Sequence, residues 1–588
     1  MFKLTSKLAL SNLKQNRKLY YPFALAVILT TMILYSFIAL ATTPHLEASY
    51  GGRTARAVLG FGSFVVQLVV VILVAYANGY VMKNRSKELG LYSVLGMEKK
   101  HLLVMTLWEL LIFYILTVGV GLGLGLLFDP LIFALLLKCM GLPVVIQSTF
   151  QLGAVLNTLF GLALAFALIL LLNSFRLLRY SSLHLMQQKK AGEKKGRFLL
   201  VQTLLGLGLL GIAFYLALTA ERPVAAVQRF FIAVILVILA TYLLFNAGSI
   251  TFLRFLKGRK SYYYKPENFI SVSNLIARMR KNAAGLATIS ILSTMVLVTL
   301  TGSLNLFIGG QNYLDTMYPS DYNISVGHMT SEAETEPVIE EVQAQIKKVA
   351  DATHLSDYQV AQTTYWSASI RRIDGKVLEV YDQSDQETGQ ELKTEGVVYF
   401  FDQATYEQLT GQKVELGENE ILAYGYQYPG RLDSQLEING KSFAIKQKLD
   451  SNFIQGKLPQ ADLFQHQMGL YLVLPDLNQL GLKIDKNLEF SISAKNKENQ
   501  DFIAGMAKEL YSTDKMSQYG ATLFGGVDRY SMEKEWRESA GTILFIGVFL
   551  SVIFLLATVL VIYYKQISEG YEDRENFVIL QQVGLDQK

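Results

Sequence analysis

Eight apolar runs, each about as long as a helix needs to cross a bilayer, constrain this chain more than any motif in it. They occupy residues 20–42, 58–81, 102–128, 152–175, 198–219, 230–255, 283–308 and 541–563. A backbone in lipid must satisfy its own hydrogen bonds, so each run is read as a transmembrane helix. The first run also ends in Ala39-Leu40-Ala41, which looks like a signal-peptide cleavage site. A signal core is only about 7–15 residues long, so the spanning reading fits its length better. With 51% hydrophobic and 18% charged residues among 588, the chain is too apolar for an ordinary soluble protein.

Charge divides the chain in two. Residues 309–538 carry 36 Asp+Glu against 21 Lys+Arg, a net −15, and the remainder carries 33 basic against 13 acidic residues, a net +20. The basic residues sit in the N-terminus and in every second loop, while the other loops before residue 309 have few charges. By the positive-inside rule both termini are cytosolic and the acidic region is extracellular. The single cysteine, Cys139, excludes intrachain disulfides, so the outer region must fold on its own core. Residues 1–18 place Leu8 and Leu13 among lysines and arginines, a pattern suited to an amphipathic helix on the inner face.

The domain organisation expected from this is 1–42, amphipathic helix and span one; 43–180, spans two to four; 181–260, a hairpin of spans five and six; 261–308, a second amphipathic helix and span seven; 309–538, the outer domain; and 539–588, span eight with a charged C-terminal segment. Within the outer domain, alternation predicts a strand over 321–326, hairpins turning at 374–376 and at Asn439-Gly440, and helices over 332–350, 403–409 and 500–510. That is an inserted α+β domain on an otherwise all-α polytopic membrane protein. Its acidity would attract cationic peptides, or would simply keep the domain soluble.

Residues 82–100, MKNRSKELGLYSVLGMEKK, form a charged elbow between spans two and three. A degenerate copy, residues 564–588, sets Gly584 against Gly96. The segment Leu10-Ser11-Asn12-Leu13 before span one likewise resembles Val272-Ser273-Asn274-Leu275 before span seven. The order amphipathic helix, span, outer segment, span, elbow therefore occurs twice, as in membrane bundles built from repeated halves. The first copy continues with two more spans after its elbow, so ten spans are expected where eight are visible, the other two lying in a longer form of this chain or in a separate polypeptide. An apolar face outside the bilayer has a use if a protein docks there.

Other signals are weaker. Gly119, Gly121, Gly123 and Gly125 in span three give two overlapping G-x-x-x-G pairs, which allow close helix packing or else mark a flexible helix. Asp129-Pro130 is read as ending that helix, with 131–146 interfacial. Lys138 is a candidate lipid-headgroup contact, with simple snorkelling as the plainer reading. Glu109, about two turns into span three, is either functional or an interfacial cap. Asn439-Gly440-Lys441-Ser442 lacks the upstream glycine of a phosphate loop and is read as a turn. No zinc motif or nucleophile elbow is present, so the chain is expected to be no enzyme.

Residues 87–96, KELGLYSVLG, opening a glycine-rich span, resemble the motif of FtsX-like ABC permeases. Two such units, with two spans between them and a large outer domain between spans seven and eight, are similar to the Bce-type permeases of antimicrobial-peptide resistance modules. The resemblance implies a multi-pass protein of the bacterial cell membrane that works with two copies of a cytosolic ABC ATPase. ATP and magnesium would bind on that partner, leaving this chain without a cofactor. It further implies removal of bacitracin-like peptide antibiotics from lipid-linked pyrophosphate cell-wall precursors, signalling to a histidine kinase, contact with membrane lipids, and no nucleic-acid partner. Carried over by position, the ATPase contacts fall on Glu88, Leu89, Gly90, Leu91, Val94, Leu95, Gly96 and Met97, and on Phe577, Ile579, Gly584 and Leu585. The alternative is an FtsX-like signalling platform that activates an extracellular enzyme or kinase without moving substrate.

Overall fold

The computed structural model describes residues 2–44, 52–146, 150–179, 198–219, 223–329, 335–374, 376–381, 394–426, 432, 434–459, 469–494, 500–512 and 522–582. Two compact units divide them, one made by the membrane helices and the other centred on Gly309–Trp536. Among the described residues, eight helices are long and apolar enough to cross a membrane.

The chain opens with α1 (Phe2–Gln15) and α2 (Arg17–Thr42), which are separated by a break at Asn16. Then come α3 (Gly52–Val94), α4 (Lys99–Met140), α5 (Leu152–Arg179) and α6 (Leu199–Leu218). The sixth span is α7 (Pro223–Leu243), which passes through a π turn at Leu244–Gly248 into α8 (Ser249–Gly258). The short α9 (Lys260–Tyr263) leads into α10 (Pro266–Met317). The two proposed copies of the repeat are not built alike: residues 272–275 lie inside one unbroken helix with span seven, whereas Asn16 interrupts the first copy.

The second unit comprises β1 (Tyr322–Met329), α11 (Glu336–Ala352), β2 (Tyr358–Asp374), β3 (Val377–Val380), β4 (Gly396–Asp402), α12 (Gln403–Thr410), β5 (Glu420–Tyr426), β6 (Gln435–Ile438), β7 (Lys441–Lys448), β8 (Gly469–Leu474), β9 (Asp485–Ala494), α13 (Gln500–Ser512) and β10 (Thr522–Asp528). The described strands run β10-β1-β9-β2-β3-β6-β7-β5-β8-β4, and β4 also pairs with β2. Seven strands from β2 to β4 therefore close into a ring. Each of the seven sends residues such as Ile370, Val398, Phe400, Phe443 and Leu472 into one buried cluster, the filled interior of a small barrel. The 17-residue β2 serves both halves: Tyr358–Ser367 pairs with β9, and its later residues pair with β4 and β3. Beside the barrel, α11 and α13 cover Ile324, Val326, Phe490 and Ile492 of the β10-β1-β9-β2 layer. The Asn439-Gly440 turn joins β6 to β7 with φ of 43° and 87°, the left-handed pair that a tight hairpin needs, so Asn439 to Ser442 is no phosphate loop.

The chain returns through α14 (Arg529–Gln582). In the membrane unit α2 packs on α3, α4 and α5. α14 closes on it through Phe37 and Phe545, ring centroids 5.9 Å apart, and reaches α10 where Ser551 Oγ donates to the Val296 carbonyl at 3.4 Å. Lipid supplies little hydrophobic drive for helix association, so buried polar bridges and close packing hold the bundle. Asn78 and Asn173 exchange amide hydrogen bonds at 2.9 and 3.3 Å, and Gln67 donates to the Gly161 carbonyl at 2.8 Å, tying α3 to α5.

Two sequence expectations are corrected here. The third span does not stop at Asp129-Pro130: α4 runs through Pro130 to Met140. Proline removes one backbone donor, a loss that a long packed helix in a membrane tolerates. The real stop is Gly141, left-handed at φ 73°, whose N–H reaches back to the Leu137 and Lys138 carbonyls. The N-terminal amphipathic helix ends at Gln15 rather than Lys18, and its Thr5, Ala9 and Asn12 are buried, with Asn12 Nδ2 3.7 Å from Met105 Sδ on α4. That face is occupied by protein.

Candidate coupling site

Past its apolar stretch, α3 continues to Val94, so the elbow is the end of the spanning helix rather than a separate piece. Its stop is a Schellman turn: Met97 N–H bonds the Tyr92 carbonyl at 3.0 Å and Gly96 N–H bonds the Ser93 carbonyl at 3.2 Å. Gly96 has φ 100°, a conformation that side chains with a Cβ rarely adopt. Glu98 then caps α4 from an extended backbone and pairs with Lys100 at 2.7 Å, which holds its carboxyl below the usual value.

The elbow has two faces. Leu89 is buried with Ala9, Met82, Leu102, Met105 and Leu177, and Tyr92 and Met97 lie half-buried against them. Gly90 is buried as well, whereas Leu91, Val94 and Leu95 are 49%, 64% and 74% exposed. The sequence resemblance groups Leu89 with the other three as ATPase contacts; helical geometry turns it into the bundle and leaves a smaller apolar knob exposed. The space around Gly96 is open, with nothing within 4 Å of where a Cβ would stand.

Beneath the knob lies a buried charge cluster. Arg85 Nη1 meets Glu109 Oε1 on α4 in an ion pair, and Tyr20 on α2 donates its hydroxyl to the same carboxylate oxygen. Arg85 Nη1 also lies 3.2 Å from the Tyr20 hydroxyl. On its other side Arg85 Nε reaches Glu88 Oε2 at 3.4 Å, and Asn16 Nδ2 reaches the same oxygen at 3.4 Å. Glu88 is thus the half-buried rim of a network joining α2, α3 and α4. Glu109 is a full member of the interior, not an interfacial cap. Arg85 and Tyr20 were missed because Arg85 sits in a charged run that looks solvated and Tyr20 at the edge of an apolar one. The available signal was a carboxylate at membrane depth, which needs a cation nearby.

The remaining sequence candidates separate. A Cβ on Gly121 would stand 2.7 Å from Thr31 Cβ, and one on Gly125 would stand 2.8 Å from Tyr35 Cδ1, so these two glycines face α2 closely. Gly119 and Gly123 have nothing within 4 Å. Lys138 is exposed on the last turn of α4. Phe577 and Ile579 lie on the last turns of α14, while Gly584 and Leu585 fall outside the described residues. Among the described residues no cluster of three His, Cys, Asp or Glu side chains could hold a metal ion.

Residues 60–182, which contain the elbow and the Arg85–Glu109 pair, match the family model described as FtsX-like permease C-terminal. That stretch is similar to an FtsX-like permease unit. Beyond that unit, the chain is 23% identical to the bacitracin export permease protein BceB of Halalkalibacterium halodurans, covering 99% of this chain and 88% of that protein. It is 22% identical to BceB of Bacillus subtilis and 23% identical to the uncharacterized ABC transporter permease YvcS of the same organism, with the same coverage. The family-model match and these likenesses over nearly the whole chain support an ABC transporter permease role in a multi-pass membrane protein, which implies an ATPase partner.

Proposed function

We propose that this chain is the permease subunit of an ABC transporter that removes bacitracin-like peptides from lipid-linked cell-wall precursors and reports their presence to a membrane histidine kinase. The energy would come from two copies of a cytosolic ATPase that bind ATP and magnesium, with no nucleotide site in this chain. The observation that carries the reading is the elbow knob of Leu91, Val94 and Leu95, an apolar surface placed beyond the spanning part of α3 and backed by a buried ion pair. An exposed apolar patch rimmed by charge marks a docking surface, and the rigid pairing behind it would pass a push into the bundle. The basic loops favour cytosolic termini and an extracellular 309–538, and the second FtsX-like unit would present an equivalent elbow near Gly584.

The test is co-purification of the cognate ATPase with the full chain. Leu91→Asp and Gly96→Asp should each abolish it. Aspartate tolerates a left-handed backbone better than most residues, so the Gly96 variant tests surface chemistry more than folding. Full retention of the ATPase by both variants would overturn the assignment. Protection of cells from bacitracin by the wild-type chain, lost in a variant whose ATPase cannot hydrolyse ATP, is the expected result for the peptide-removal reading.

A further inference from the structure

Pro22 lies inside α2, and a proline has no N–H to give the carbonyl four residues earlier. That carbonyl belongs to Lys18. It is not left to itself: the Tyr563 hydroxyl, from the far end of the chain, donates to Lys18 O at 3.1 Å. The next residue does the same one step along, Tyr564 donating to the Leu19 carbonyl at 2.9 Å. Tyr564 is fully buried, and its ring stacks on Tyr80 of α3 with centroids 4.4 Å apart. The third residue of this turn, Tyr20, enters the Arg85–Glu109 cluster from the other side. Three consecutive residues of α2 are therefore gripped by α14 on one side and by α3 and α4 on the other.

We propose that Tyr563 and Tyr564 are positioning residues that lock α14 onto the first turn of α2, Tyr563 supplying the donor that Pro22 removes. Through this joint the elbow of the FtsX-like unit and the last helix move as one body. A load applied at the elbow is shared with α14 through these bonds as well as through the packing of the bundle. The proposal rests on the ABC-permease reading for what drives the motion, but the joint itself is a property of this chain. A tyrosine pair that merely filled space would work equally well as phenylalanines.

The experiment compares Tyr563→Phe, Pro22→Ala and the double variant in the full chain, co-expressed with its ATPase and reconstituted in vesicles of bacterial lipid. Tyr563→Phe should retain the ATPase on purification yet lower the ATP turnover of the complex by roughly fivefold, the shift one net hydrogen bond makes in a two-state equilibrium. In the Pro22→Ala background the restored N–H at residue 22 satisfies Lys18 O, so adding Tyr563→Phe should cost nothing further. Unchanged turnover in Tyr563→Phe, or a double variant as impaired as that single one, would overturn the proposal. If the wild-type chain retains no ATPase, the permease reading fails and the joint is read instead from thermal unfolding. The same rescue by Pro22→Ala is then expected, and a Tyr563→Phe loss that Pro22→Ala leaves in place overturns it.

Discussion

Arg85 and Glu109 meet where both side chains are nearly closed to solvent, 2% and 3% exposed, and they belong to different spanning helices. Removing one partner strands a charge in a medium that cannot solvate it, whereas replacing both removes the desolvation cost along with the attraction. Arg85→Met or Glu109→Gln alone should therefore destabilise the purified chain by about 3 kcal/mol, and the Arg85→Met, Glu109→Leu double variant by clearly less. Thermal unfolding of the four proteins in one detergent reads this. Single variants no less stable than the double one would show that the pair is not a buried unit.

Gly96 gives a prediction of opposite character, because nothing crowds it. Its φ of 100° makes any Cβ a strain on the backbone itself. Gly96→Ala should cost about 1 kcal/mol despite the open space, and Gly96→Asn less, since asparagine enters the left-handed region more readily. Faster amide exchange at position 96 and at Met97 in the alanine variant, corrected for intrinsic rate, would report the loosened Schellman turn. Equal protection in alanine and glycine proteins would mean the turn relaxes without strain.

How far the sequence is legible depends on the range of each interaction. The long apolar helices were legible because lipid sets a minimum apolar length, and Asn439-Gly440 because a two-residue turn carries its own chemistry. The elbow was legible because its charges, glycine and apolar residues lie within one short segment. Arg85 finding Glu109 was not, since two charges 24 positions apart on different helices show no periodicity that links them. Closure of the barrel through β2 and β4 was hidden for the same reason: it depends on registers such as Trp366 opposite Phe400, fixed only once distant strands align. Pro130 misled because a local rule, proline ends helices, gives way where a long packed helix holds the rest of the ladder.

Glu407 in the strand-rich unit offers a pH test. Its carboxylate accepts the Val414 N–H at 3.0 Å and the Gln403 amide at 3.2 Å, and these bonds, the backbone one foremost, hold its pKa below the ordinary value of 4.5. A lowered folded-state pKa stabilises above the unfolded value and loses that contribution as the pH falls through the lowered one. Exchange protection at the Val414 amide, corrected for intrinsic rate, should therefore be constant at neutral pH and decline below about pH 4.5. Glu407→Gln should show reduced protection at neutral pH and no such decline. A wild-type profile that stays flat through the acid range would remove the carboxylate from this role.

The four glycines of α4 make the sharpest contrast, because they share one helix and one residue type and differ only in what faces them. Gly121 would put a Cβ 2.7 Å from Thr31 Cβ and 2.8 Å from the Ile28 carbonyl, and the backbone carbonyl cannot rotate away. Gly125 would put one 2.8 Å from the Tyr35 ring, which is itself fully buried. Alanine at either position must push α2 from α4, a repacking that costs about 1–3 kcal/mol. At Gly119 and Gly123 the same methyl meets nothing, and alanine there removes unfolded-state freedom and suits the helix better, a gain of about 0.4–1 kcal/mol. Four single alanine variants, ranked by thermal unfolding, should split into two pairs of opposite sign, Gly121 and Gly125 below the wild type and Gly119 and Gly123 at or above it. A ranking that mixed the pairs would mean that α2 and α4 do not meet along the Gly121–Gly125 edge, and the close approach that brings Tyr20 within reach of Glu109 would lose its support.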